Sequence, residues 1–233
     1  MISRLKQMIL YCVFLSGSTY LTAQEKSCEE VFSEVYDNLI WGVAEDGDPS
    51  SGWGSHYKYA QPYIEFLQRF LEENSIKKVL DLGCGAWEIC RHLDWTGIEY
   101  IGIDVCPKMI ALNQHKFGSS EIQFLVGDIL TVELPDADLV ICKDVLQHLK
   151  NKDVELFLSR TKKYKHSLLT NDIATSKKND VRIHKKNRQN PRRGATRPLD
   201  LTLPPFNVEG TKVLTYPAGE GDAVKQVLYI HLN

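Results

Sequence analysis

Val79-Leu80-Asp81-Leu82-Gly83-Cys84-Gly85 is a short apolar run that stops at two glycines one residue apart. A run of this length, bounded by turn residues, reads as a strand buried on both faces. Without side chains at Gly83 and Gly85, a ligand can come close to the backbone, and free amides at the start of a following helix would favour anionic groups. Downstream the pattern repeats. Tyr100–Asp104, Ile122–Val126 closed by Gly127-Asp128, Leu139–Cys142 and Ser167–Thr170 are four more short apolar runs. Helical stretches are expected between them at 87–95, 107–116 and 152–164, the last with Val154, Phe157, Leu158 and Thr161 on one face. Two-sided strands alternating with helices predict a parallel sheet covered on both faces. Near the end, 212–216 and 225–232 read as two strands joined without a helix, an antiparallel hairpin.

Upstream, Ser27-x-x-Glu30 is a capping box. Cys28, Val31, Phe32, Val35, Tyr36, Leu39 and Ile40 behind it predict an amphipathic helix ending near Gly42. Residues 42–56, with Glu45, Asp46, Asp48 and Ser51-Gly52-Trp53-Gly54-Ser55, read as a loop. A second helix is expected after Pro62. Residues 1–23 carry Arg4 and Lys6, an apolar run from Met8 to Leu15, and a cleavage-like end at Ala23. They read as an export signal, too short to span a bilayer. The expectation is a periplasmic or secreted protein if the signal is cleaved and a cytoplasmic one otherwise, with no membrane span in the mature chain. Cleavage would leave five of the six cysteines, an odd number with no disulfide-like or zinc-like spacing. No metal site is expected, and Cys84, Cys90 and Cys106 read as packing residues.

With 43% hydrophobic and 25% charged residues, the 233-residue composition is that of a globular protein. It excludes a disordered tail, a collagen-like fibre and a polytopic membrane protein. The net charge of −2 gives no whole-molecule attraction to nucleic acid. It hides an asymmetry: between Lys177 and Arg197 nine Lys or Arg and one acid make +8, leaving −10 elsewhere. Such a stretch is a solvated loop or a contact for an acidic partner. It holds no aromatic residue for stacking single-stranded nucleic acid.

About twenty residues after the glycines, Asp104 ends the next strand, where an acid can accept hydrogen bonds from both ribose hydroxyls. Asp128 ends the third strand on the same edge, and ligands of open α/β sheets bind at the carboxyl ends of the strands. A dinucleotide site needs a third glycine at position 88. Glu88 stands there, and a pyrophosphate would be repelled, so a nicotinamide cofactor is disfavoured. S-adenosylmethionine has no phosphate and tolerates the acid.

On Val79–Gly85, Asp104, Gly127-Asp128 and Lys143-Asp144-Val145-Leu146-Gln147-His148-Leu149, the chain resembles the class I S-adenosylmethionine-dependent methyltransferases over residues 76–233. The Ser51–Ser55 stretch and Arg197-Pro-Leu-Asp-Leu-Thr-Leu-Pro-Pro-Phe206 are similar to a bacterial subgroup of undefined substrate. The resemblance implies a Rossmann-like α/β fold: a mostly parallel seven-stranded sheet with an antiparallel last strand, helices on both faces and an N-terminal helical lid over 24–75. It also implies roles by position. Gly83 and Gly85 would line the methionine part of the cofactor, with Asp81 and Cys84 beside them. Asp104 would bind the ribose, Asp128 the adenine amino group, and Ile129 would pack on the ring. Cys142 and Lys143 would sit near the sulfonium. The chain departs from the family at Trp87, where a third glycine is frequent, at Ala86, where the subgroup often has Asp, and at Lys143, where Arg is usual.

His148 could take a proton from an attacking hydroxyl or amine, since its ordinary pKa suits that task. Asp144 and Asp172 are weaker candidates for the same role. Residues 199–206 and the Trp53 loop are expected to close over the site. The reading is a methyltransferase acting on an oxygen or nitrogen of a small or acidic acceptor. The alternative is a cofactor-binding interaction protein without turnover. No oligomeric state is read from the sequence.

Overall fold

The computed structural model describes residues 26–173, 187, 194–217, 219 and 224–232. The expected export signal and the basic residues from Lys177 to Arg193 lie outside the described residues.

Each apolar run becomes a strand: β1 (Lys78–Leu82), β2 (Glu99–Asp104), β3 (Ile122–Val126), β4 (Leu139–Lys143) and β5 (His166–Ile173), then β6 (Thr211–Pro217) and β7 (Val224–His231). They form one seven-stranded sheet in the order β3-β2-β1-β4-β5-β7-β6. The first five are parallel; β7 runs antiparallel between β5 and β6. The register pairs Leu82 with Ile103, Asp104 with Val126, and Lys143 with Thr170. The strand ends that carry the candidate residues therefore share one edge.

Alternation divides the core into two layers, because successive strand side chains point to opposite faces. Val79, Tyr100 and Ile141 pack with Tyr63, Leu67 and Leu71 of α2 (Tyr57–Glu73). Leu80, Leu82, Ile103, Val140 and Cys142 pack with Val154 and Phe157 of α4 (Asn151–Thr161). Next to β2 and β3, α3 (Pro107–Phe117) adds Ile110 to the first layer.

Several boundaries differ from expectation. The capping box opens α1 (Cys28–Asp37): the Ser27 hydroxyl accepts from the Glu30 amide at 3.1 Å, and the Glu30 carboxylate accepts from the Ser27 amide at 2.7 Å. The helix stops at Asp37 rather than near Gly42, because Leu39 takes a left-handed backbone with φ of 51°. Pro62 lies inside α2 instead of before it, at the cost of one ladder hydrogen bond. The helix expected at 87–95 is a single 3-10 turn at Cys90–His92. Trp87 breaks it with φ of 55° and buries its ring against Tyr100, Phe117 and Phe124 at 5.6, 4.9 and 5.3 Å. That burial outweighs the helical pattern.

Arg197, the end of the basic stretch, is not a solvated loop residue. It is 4% exposed, and it donates to the Leu149 carbonyl at 2.9 Å and the Asn151 side chain at 2.6 Å. Leu199 and Leu201, expected to close over the site, are buried in the α4 layer.

Gly83 is required twice. Its φ is 85°, and a Cβ there would fall 2.3 Å from Val145 Cγ2. Gly83→Ala is predicted to destabilise the fold by about 2–4 kcal/mol, combining strain with overpacking. In urea titrations, Val145→Ala added to it should recover the clash but not the strain; full recovery would contradict the strain component.

Candidate functional site

Both glycines of the turn after β1 have positive φ, 85° at Gly83 and 52° at Gly85. The amides of Gly83 and Cys84 donate to the Ile103 carbonyl at 2.8 and 3.2 Å. Asp104 completes the tie: its carboxylate accepts from the Gly85 amide at 3.0 Å and from the Cys106 amide at 2.9 Å. Burial raises the Asp104 pKa, and the backbone amides pull against that rise. Asn113 donates to the Gly85 carbonyl at 2.7 Å, pinning the turn from α3.

The space that a Cβ at Gly85 would fill is occupied by the protein itself. Ser51 Oγ would lie 2.4 Å from it and the Tyr36 hydroxyl 2.9 Å. At both glycines the missing side chain thus admits neighbouring residues, Val145 at one and Ser51 with Tyr36 at the other, rather than a ligand alone. Ser51 Oγ accepts from the Ala86 amide at 2.8 Å and bonds Tyr36 at 3.0 Å. Glu88 accepts from the Ser51 amide at 2.6 Å and the Ser50 hydroxyl at 3.1 Å. Its burial raises its pKa, opposed by those bonds. The acid that disfavours a pyrophosphate is therefore the anchor of the 42–56 loop.

Asp81, Gly83, Cys84, Gly85, Asp104, Asp128, Ile129, Lys143, Asp144 and His148 all line one cavity, open to solvent. Cys142 does not. It lies between Ile141 and Lys143, which do line the cavity, so its side chain points to the other face and is buried in the α4 layer. Asp172 does not line the cavity but pairs with Lys225, and Trp53 is 66% exposed, stacked on His56 at 5.4 Å. Phe32, Tyr36, Trp41, Ser51 and Ser55, with Tyr63 of α2, also line the cavity.

Asp128 is half-buried and accepts from the Leu130 amide at 2.9 Å. Asp81 accepts from the Tyr100 hydroxyl at 2.7 Å and the Cys90 thiol at 3.5 Å, yet burial pushes its pKa up to about 6. His148 is 5% exposed, edge-on to Phe32 and 5.4 Å from Trp41, with Nδ1 3.4 Å from the Thr196 hydroxyl. Burial lowers its pKa and favours the neutral ring. Lys143 donates to the Gly54 carbonyl at 3.0 Å and pairs with Asp144. Burial lowers the Lys143 pKa; burial alone would raise that of Asp144, but the Lys143 and Lys225 ammonium groups hold it below the usual carboxylate range.

The lining suits a nucleoside with a polar extension. It offers a buried carboxylate at Asp104, a half-buried one at Asp128 and apolar surface at Ile129 and Leu130. The buried Tyr63 hydroxyl and Trp87 indole N–H, both on the wall, have no hydrogen-bond partner among the described residues.

Residues 80–164 match the methyltransferase-domain family. YqeM of Bacillus subtilis (strain 168), named provisionally as a methyltransferase, is 34% identical over 134 residues, 55% of this chain and 47% of that one. The carboxy-S-adenosyl-L-methionine synthase of Shewanella loihica (strain ATCC BAA-1088 / PV-4) is 24% identical over 154 residues, 62% of this chain and 61% of that one. The chain thus spans about half to three fifths of the length of these curated relatives. Among solved structures it is similar to magnesium protoporphyrin IX methyltransferase (ChlM) of Synechocystis PCC 6803 with bound SAH. The TM-score is 0.62 at 16% identity, over 89% of this chain and 100% of that one. These matches support a class I S-adenosylmethionine-dependent methyltransferase domain over residues 80–164.

The raised pKa of Asp81 has a signed consequence. The native state binds its proton more tightly than the unfolded chain does, so its ionisation removes stability as pH rises from about 4 through 6, by up to about 3 kcal/mol. Asp81→Asn cannot ionise and keeps an acceptor for Tyr100. Urea unfolding should find the variant more stable than the native protein at pH 7.5, with the gap closing toward pH 5. A gap independent of pH would refute the assignment.

Proposed function

We propose that this chain binds S-adenosylmethionine along the carboxyl edge of β1–β4 and directs methyl transfer to an oxygen or nitrogen nucleophile of a small or acidic acceptor. One observation carries the reading. The glycine turn after β1, Asp104 at the end of β2, Asp128 after β3, Lys143 at the end of β4, and Asp144 and His148 beyond it converge on one cavity. The match to the methyltransferase-domain family and the SAH-bound ChlM structure support it.

When bound, S-adenosylmethionine supplies an activated methyl group on a sulfonium. What remains for the chain is alignment, exclusion of water and disposal of a proton. Asp104 accepts a backbone amide on each oxygen and keeps acceptor capacity for a ribose hydroxyl. Asp128 lines the cavity and would accept from an amino group there, and Ile129 offers an apolar surface to a ring. Trp87 is compatible with this arrangement because its ring packs into the aromatic core below the turn. The rings of Phe32, Tyr36 and Trp41 would shield the reacting groups from water.

His148 and Asp144 divide the remaining work. A neutral imidazole can receive the acceptor's proton. A carboxylate held by two ammonium groups is a weak base and a good hydrogen-bond acceptor, so Asp144 orients rather than deprotonates. The positively charged stretch 177–193 favours the acidic acceptors.

Titration calorimetry of the 233-residue chain with S-adenosylhomocysteine should give a Kd near micromolar, about −8 kcal/mol. Asp128→Ala should weaken binding by about tenfold, the value of one hydrogen bond to a charged group. Asp104→Ala should abolish it, but that carboxylate also holds two backbone amides, so Asp128→Ala is the cleaner variant. No binding by folded native protein would refute the reading. His148→Gln should keep cofactor affinity and lose turnover with any acceptor found; retained turnover would remove His148 from the chemistry.

A further inference from the structure

Lys225 lies in β7, where Val227 is buried on one face and Leu228 on the other. The lysine is 3% exposed in this apolar setting. Its Nζ donates to Asp144 Oδ1 at 2.6 Å and to Asp172 Oδ1 at 2.6 Å. Asp144 Oδ2 pairs with Lys143, and Asp172 is fixed further by Gln147, whose side chain donates to its carboxylate at 3.2 Å and accepts from its amide at 2.7 Å. Two ammonium groups and two carboxylates thus form a neutral cluster of which Lys143 and Asp144 face the cavity.

This arrangement is not a source of stability. Burying four charges costs several kcal/mol of hydration per ion, and a well-packed apolar set is often as stable. A second cost falls on the same residue: Asp144 has φ of 61°. Left-handed backbone at a residue other than glycine costs about 1–3 kcal/mol and persists where the surroundings impose it. Both costs meet at one side chain on the cavity wall. Loop 51–55 is shaped to the cluster as well. Gly54 accepts from Lys143, and a Cβ at Gly54 would fall 2.5 Å from Lys225 Cε.

We infer that Lys225 is a positioning residue: it holds the Asp144 carboxylate, through a shared contact with Asp172, at the point of the cavity wall where the group that receives the methyl is oriented. Each Asp144 oxygen keeps a lone pair beyond its lysine contact, available to an N–H or O–H of the acceptor. No bond forms or breaks at Asp144 in this role. The inference rests on the S-adenosylmethionine reading and assigns a residue 81 positions from Asp144 in sequence to the same site.

The test needs no knowledge of the acceptor. Sinefungin carries a primary amine where S-adenosylmethionine carries its transferable methyl, and S-adenosylhomocysteine carries nothing there. The ratio of their Kd values by calorimetry reads the wall facing the methyl, and general damage to the pocket cancels. The native chain should bind sinefungin at least about tenfold more tightly than S-adenosylhomocysteine. The charge-balanced double variant Lys225→Met/Asp172→Asn leaves the Lys143–Asp144 pair and the net charge of the cluster intact. It should reduce the preference to about twofold or less, and Lys225→Arg should retain it. Preservation of the preference in the double variant, or its absence from the native chain, would overturn the inference. Should the double variant fail to fold, Asp144→Asn must abolish the preference, and its survival there would overturn the inference equally. Native protein that binds neither compound would instead defeat the cofactor reading itself.

Discussion

Asp104 is the pin on which this site turns. Its two oxygens accept amides from Gly85 and Cys106, joining the turn after β1 to the start of α3. The carboxylate is buried, so its charge would be expensive without those amides. The glycine turn in turn depends on it, because the Gly85 amide, one residue beyond the two amides that Ile103 accepts, bonds the Asp104 carboxylate. With the turn fixed, Ala86 presents its amide to Ser51 and Glu88 presents its carboxylate to the 50–51 backbone. The N-terminal segment is thereby fastened to the sheet edge, and its rings reach the cavity.

Much of this was legible in the sequence, for reasons that can be named. Two-sided apolar strands and glycine stops announce a parallel sheet, because burial on both faces leaves no polar alternation. An acid at the end of such a strand must find partners, so Asp104 stood out. Cys142 was misplaced because adjacency in a strand is not adjacency in space: Lys143 faces the cavity and its neighbour faces away. The glycines were read as positions where a ligand comes close to the backbone; the neighbours found there are Val145, Ser51 and Tyr36. Helix 87–95 failed because Trp87 gains more from the aromatic layer than from the helix its neighbours suggest.

What escaped the sequence is long-range. Tyr36 and Ser51 meet Gly85 only because α1 and the 42–56 loop fold back over the edge. Glu88 was weighed for what it repels rather than for what it binds. Lys225 carried a signal that went unused: a lysine inside a strand with apolar neighbours on both faces demands buried acids as partners. Nothing in sequence says which acids, since Asp144 and Asp172 lie 81 and 53 residues away.

The two ends of the cavity are built by different means. At β1 and β2 the ties run to main-chain amides, which any sequence supplies once glycines permit the turn. At β4 the ties run between charged side chains, Lys143 and Lys225 with Asp144 and Asp172, in a setting where each charge needs its partner. A backbone-held end tolerates drift in most side chains and keeps one shape, which is why a short glycine motif suffices to reveal it. A side-chain-held end can be rebuilt by exchanging a few residues on β4, β5 and β7 without disturbing the turn. Division of this kind lets one fold keep a common cofactor and vary its acceptor. In the role proposed above, the acceptor is oriented by the cluster around Asp144 and not by the glycine motif.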